Sequence, residues 1–127
     1  MNVALWTLAG LLAAGFLASG LTKLIQPKER LAASGMEFVE DFGDSTVKGI
    51  GALEILGATG LVLPALLGVG AQVMVPLAAT GLAVLMLGAV VTHARRREPQ
   101  GIVVAGVLLV LTALLASGRW GFAPFGN

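Results

Sequence analysis

The sequence predicts an all-α protein, a four-transmembrane-helix bundle with a short interfacial helical segment between the first and second spans. Three observations predict it. Of 127 residues, 57% are hydrophobic and only 12% charged, and the mean hydropathy is +0.92, well past the roughly half-apolar make-up of soluble domains. The apolar residues gather into four runs, about 3–25, 47–67, 72–92 and 102–117, each near the ~20 residues with which an α-helix crosses ~30 Å of hydrocarbon. No run offers a polar face to water, which argues against a soluble bundle of buried helices. A single membrane domain, residues 1–127, follows.

The first run is read as a permanent span. A cleaved signal peptide places basic residues before a short apolar core, and the first basic residue here is Lys23. Along this run Gly15, Ser19 and Lys23 recur every fourth residue, a small-residue stripe that ends in an ammonium. The stretch that follows, "QPKERLAASGMEFVEDFGDST", is the only segment long enough to carry structure outside the membrane. Pro27 can open a short helix as its first residue, and Phe38, Val39 and Phe42 can lie in the interface with Glu37, Glu40, Asp41 and Asp44 toward water. Two readings of the segment stay open: a flap over that end of the bundle, or a plain surface connection.

The second run, "VKGIGALEILGATGLVLPALLG", contains Glu54, with Asp44 or Ser45 as its expected cap. At ~1.5 Å per residue from Val47, Glu54 lies about 10 Å inside the hydrocarbon, where an unpaired carboxylate costs a few kcal/mol. It must be neutral, paired or hydrated. Gly51, Gly57 and Ala58 lie on the same helix face and let a neighbouring backbone come close. Lys23 is the expected partner, because its flexible stem can reach down from the boundary. Lys48 is a second candidate, although on an ideal helix it points roughly 120° away from Glu54.

The connection "LLGVGAQ" is short and uncharged, so the second and third runs form an antiparallel hairpin. Pro64 and Pro76 flank that turn and are expected to end and start helices. The third run brings His93 to the level of Glu54, with Met86 and Ala89 on its face, as a titrating or hydrogen-bonding third member. The bland reading of His93 is an interfacial residue beside the basic run. "HARRREPQ" joins it to the fourth run, and Arg95, Arg96 and Arg97 there anchor the chain against anionic lipid heads. Gly81 and Gly88 on the third run, and Gly101 and Ala105 on the fourth, are most simply packing surfaces.

Seven of the eight Lys+Arg residues fall in or beside the two loops that follow the first and third runs, and only Arg119 falls on the other side. The bias of basic residues toward the cytoplasm therefore puts both termini outside. Trp6, Trp120, Phe122 and Phe125 would form part of an aromatic belt on the outer face. With no cysteine and one histidine, the usual haem, iron–sulfur and thiolate metal sites are excluded, so no cofactor or metal is intrinsic to the chain. A net charge of +1 and a basic run set against a membrane helix give no nucleic-acid signature.

The segments "GLTKLIQP", "GIGALEILGATGLVLP" and "LAVLMLGAVVTH" together resemble the DoxX family of small four-helix bacterial membrane proteins, over nearly the whole chain. The matching positions are Gly20 and Lys23, then Gly51, Glu54, Gly57 and Pro64, then Met86, Ala89 and His93. No one of these motifs is specific; their order and spacing carry the resemblance. It implies a multi-pass protein of the bacterial cytoplasmic (inner) membrane, related to a subunit of a thiosulfate:quinone oxidoreductase and to redox-stress assemblies.

The expected function is that of a non-catalytic accessory or assembly subunit of a membrane oxidoreductase or redox-stress complex. Its partners would be the bilayer, a larger membrane complex or homo-oligomer, and soluble redox proteins at the cytoplasmic loops. The alternative is binding or transport of a small molecule, such as a quinone, lipid or solute, by an intramembrane cluster of Glu54, Lys23 and His93. A buried Glu–Lys pair that serves only to fix which helices pack stands against that alternative.

Overall fold

The structure is a computed structural model that describes residues 2–33, 42–68 and 70–122. Its elements are α1 (Asn2–Ile25), α2 (Lys28–Ala33), α3 (Asp44–Leu67), α4 (Ala71–Arg95) and α5 (Pro99–Ser117), followed by a π turn over Gly118–Phe122. No strand occurs among the described residues. Four of the helices, α1, α3, α4 and α5, are long and apolar enough to cross a membrane. The short α2 lies between the first two of them, as the sequence predicts.

Helices apolar all round have no single sticky face, so packing here depends on where small and large side chains fall. One stripe of α1, formed by Leu5, Ala9, Leu12 and Phe16 at spacings of three and four, is buried against Ala58 and Leu61 of α3. Ala79, Leu82 and Met86 of α4 and Leu115 and Ala116 of α5 complete the core. The closest pairings are α1 with α3 and α4 with α5, joined across the middle by α3 and α4. The opposite faces carry exposed residues such as Leu11, Leu56, Val84 and Val110, suited to lipid. Threonine hydroxyls in the spans are satisfied within their own helices: Thr22 donates to the Ala18 carbonyl at 2.8 Å, and Thr112 to that of Leu108 at 2.8 Å.

The helices outrun the apolar runs because polar interfacial turns are also helical. α3 begins at Asp44, α4 continues through His93 to Arg95, and α5 starts with Pro99 as its first residue, where a missing N–H costs nothing. Gly43, rather than Asp44 or Ser45, is the N-cap of α3, with no side-chain capping bond. Pro27 precedes α2 instead of beginning it, and its carbonyl accepts from the Arg30 and Leu31 amides. Pro64 and Pro76 lie inside α3 and α4, near the ends that the α3–α4 turn joins, rather than ending them. Each removes one i→i−4 bond and crowds one carbonyl of the preceding turn.

The turn between α3 and α4 depends on two glycines in the left-handed region, Gly68 at φ 70° and Gly70 at φ 69°. The Gly68 amide closes α3 on the Ala65 and Pro64 carbonyls. At the other end of the bundle, Leu31 of α2 and Val47 of α3 are buried together, with Phe42 packed on them. The expected flap residues Glu37, Phe38, Val39, Glu40 and Asp41 lie outside the described residues, as do Phe125 and the side chains of Asp44 and Phe122.

Candidate functional site

Close approach of α1 and α3 sets the site. Gly20 and Gly51 face each other: a Cβ on Gly20 would stand 2.6 Å from the Gly51 carbonyl oxygen, and one on Gly51 would stand 2.9 Å from Lys23 Cβ. Contact this close places the roots of Lys23 and Glu54 side by side. Gly15 takes no part, because it is exposed and an added Cβ would meet nothing within 4 Å. The packing stripe of α1 runs through Gly20, and the expectation for Gly15 is corrected. On the far side of α3, a Cβ at Gly57 would collide with Leu82 of α4, and Ala58 is buried in the core.

Lys23 Nζ donates to Glu54 Oε1 at 2.7 Å and to Ser19 Oγ at 2.6 Å. Both partners of the ion pair are buried, at 5% and 2% exposure. Ser19, expected only to pack, is therefore an acceptor for the ammonium. Lys48 does not join this pair: its Nζ donates to the Leu24 carbonyl at 3.0 Å, in the last turn of α1, where a cation satisfies an otherwise orphaned carbonyl.

The pair is not sealed by apolar packing. It forms part of the wall of a cavity of about 240 Å³ that is also lined by Phe42, Ile50, Met86, Ala89, Thr92 and His93. Lys23, Glu54 and His93 thus share one cavity. His93, however, is held from the α4–α5 turn. Its Nδ1 lies 2.8 Å from Glu98 Oε1, while Arg96 Nε donates to Glu98 Oε2 at 3.1 Å.

The hydrogen bond to His93 is the main force holding the Glu98 carboxyl below its ordinary 4.5; Arg96 assists and partial desolvation opposes it. An ionised Glu98 only accepts, so Nδ1 carries the proton in this pair and, in the neutral ring, Nε2 is the acceptor. Gly101 makes room for the ring, since a Cβ there would collide with the imidazole. Arg97 stands in the left-handed region at φ 56°, a conformation costly for a side chain with a Cβ, and the bonds from Glu98 hold that turn. Arg95 and Arg97 are exposed at this end.

A lowered carboxylate pKa stabilises the fold above the ordinary value and ceases to do so as pH falls through the folded one. The α4–α5 turn should therefore keep constant amide-exchange protection at Arg97, Glu98 and Ile102 down to pH 4.5 and lose it progressively below. Glu98→Gln should remove the pH dependence. Protection of the wild type that does not change with acidification would contradict this assignment of the proton.

Glu98 was not recognisable as a site residue in the sequence, where it reads as the end of a basic loop; its only signal is its place five residues after the one histidine. The sequence marks Arg119 only as the one basic residue away from the two charged loops, yet it is buried at 1% exposure within the π turn. Beside it, the half-exposed Trp120 donates from Nε1 to Thr80 Oγ1 at 3.0 Å, tying that turn to α4. Among the described residues no three His, Cys, Asp or Glu side chains stand together as a metal site. The site's chemistry is that of hydrogen bonding and charge: the Lys23 ammonium, the Glu54 carboxylate, the Thr92 hydroxyl and the His93 ring in the wall of an otherwise apolar cavity.

No curated protein and no solved structure matches the chain. The model of the DoxX-like family matches residues 7–115, which take in the second and third spans, most of the first and fourth, and Lys23, Glu54, His93 and Glu98. This multi-pass membrane protein belongs to the DoxX-like family.

Proposed function

We propose that the protein binds a small uncharged molecule with hydrogen-bonding oxygens, such as a quinone headgroup, in the cavity walled by Lys23, Glu54 and His93. One observation carries this reading: the buried Lys23–Glu54 ion pair borders a cavity of about 240 Å³ instead of being enclosed by side chains. A pair kept only to fix which helices pack requires no cavity beside it, because protein interiors are otherwise close-packed. Lys23 and Glu54 neutralise each other, so the cavity favours a neutral occupant over an ion. Lys23 can donate to a carbonyl oxygen, Glu54 and Thr92 can accept from a hydroxyl, and the rings of Phe42 and His93 suit a flat head.

The basic residues gathered at this end support a cytoplasmic position for it, with both termini outside, in the cytoplasmic membrane of a bacterium. Exposed Arg95 and Arg97 beside the cavity also support the second reading, an accessory subunit of a redox complex that docks soluble partners there.

Native mass spectrometry of gently solubilised wild type beside Glu54→Gln separates the two. The expected result is a small molecule retained by wild type and lost from the variant. Partner chains held equally by both proteins, with no retained molecule, would overturn the binding reading and favour the accessory subunit.

A further inference from the structure

A second cavity adjoins the first. It is a groove of about 480 Å³ between α3 and α4, and every residue that lines it is apolar, among them Leu56, Gly57, Gly60, Leu77 and Gly81. Leu85 lines both this groove and the polar cavity, so the two meet at that residue. The groove exists because the glycines supply no side chains: α3 and α4 meet at Gly57 against Leu82 and at Gly60 against Ala78, while Gly81 faces open space. On α4 it extends from Leu85 to Met74, about 16 Å at ~1.5 Å per residue, and so runs from the polar cavity toward the opposite end of the bundle.

We infer that the occupant of the polar cavity carries a single apolar chain, and that this chain lies in the α3–α4 groove. The inference rests on the proposed binding function and names the class of ligand: an amphiphile with an uncharged hydrogen-bonding head. Lipid chains are as apolar as the groove, so moving a chain from bilayer to groove gains no hydrophobic energy. What distinguishes the ligand's own chain from bulk lipid is its covalent link to a head already held beside Leu85, which raises its effective concentration there. The arrangement is that of a lipid in a leaflet, with the head at the boundary and the chain along the membrane normal.

The test uses the full chain in phosphatidylcholine nanodiscs and two photoprobes: a benzoquinone with a diazirine at the end of a ten-carbon chain, and a phosphatidylcholine with the diazirine on its acyl chain. Adducts of the quinone probe should concentrate on the groove residues of α3 and α4 by about tenfold over the phospholipid probe. A tailless benzoquinone should compete them away. Gly81→Phe, which fills the groove from a position with open space, should scatter the adducts while leaving binding of the tailless quinone unchanged. Adducts spread evenly over α1 and α5, with the tailless quinone still bound, would overturn the chain's placement and leave the head site standing. Failure of the tailless quinone to bind or compete would overturn both.

Discussion

Glu54→Ala is expected to lower stability by about 3–5 kcal/mol, the cost of leaving a buried charge without its partner. The effect follows from the burial of both groups and from the 2.7 Å contact that links α1 to α3. Removing the carboxylate takes away the Glu54 oxygen at 2.7 Å and its compensating charge from an ammonium that is 5% exposed. Lys23→Met should cost a similar amount for the opposite reason. The double variant Lys23→Met, Glu54→Leu should instead unfold within about 1 kcal/mol of wild type, because two apolar side chains of similar size replace a pair whose attraction mostly offsets its own desolvation. Reversible unfolding in mixed micelles measures all four proteins. A double variant as unstable as either single one would mean that the pair itself holds the bundle together.

Gly20→Ala is the second large effect, expected at about 1–3 kcal/mol or more from overpacking. The added Cβ meets the Gly51 carbonyl oxygen at 2.6 Å and Ile55 at 2.7 Å, and a backbone atom cannot rotate aside. α1 and α3 must separate, which also pulls Lys23 away from Glu54. Gly15→Ala, five residues earlier, meets nothing within 4 Å and should stabilise the helix slightly, as removing a glycine from a helix interior does. The same unfolding assay compares them, and equal effects at the two positions would contradict the helix pairing described.

The contrast between those glycines shows where the sequence is legible. Four spans can be read because bilayer thickness fixes a length and composition that few other structures share. Glu54 and Lys23 stand out for a similar reason: charges within such runs are costly, so each implies a partner. Register is harder. A strict four-residue repeat such as Gly15, Ser19, Lys23 drifts by about 40° per step on a helix of 3.6 residues per turn, so its first member has rotated off the interface. The buried stripe mixes fours and threes, through Leu5, Ala9, Leu12, Phe16, Gly20 and Lys23, and so keeps to the interface.

Partnerships made by turns are harder still. Glu98 reaches His93 only because the chain reverses through Arg97 in the left-handed region, a conformation that an arginine does not advertise. Lys48 caps α1 for a comparable reason: its neighbour is a backbone carbonyl of another helix, and carbonyls carry no sequence signal. The cavities are invisible in one dimension, since they are set by what glycines such as Gly81 and Gly88 fail to fill.

If the proposed binding function holds, the Lys23–Glu54 pair is a ligand-facing wall. Equilibrium binding of a short-chain quinone to the Lys23→Met, Glu54→Leu double variant in nanodiscs, beside wild type, tests this. A ligand-facing wall gives a folded double variant whose binding is lost; a folded double variant that binds as wild type does would reduce the pair to a device for packing two helices.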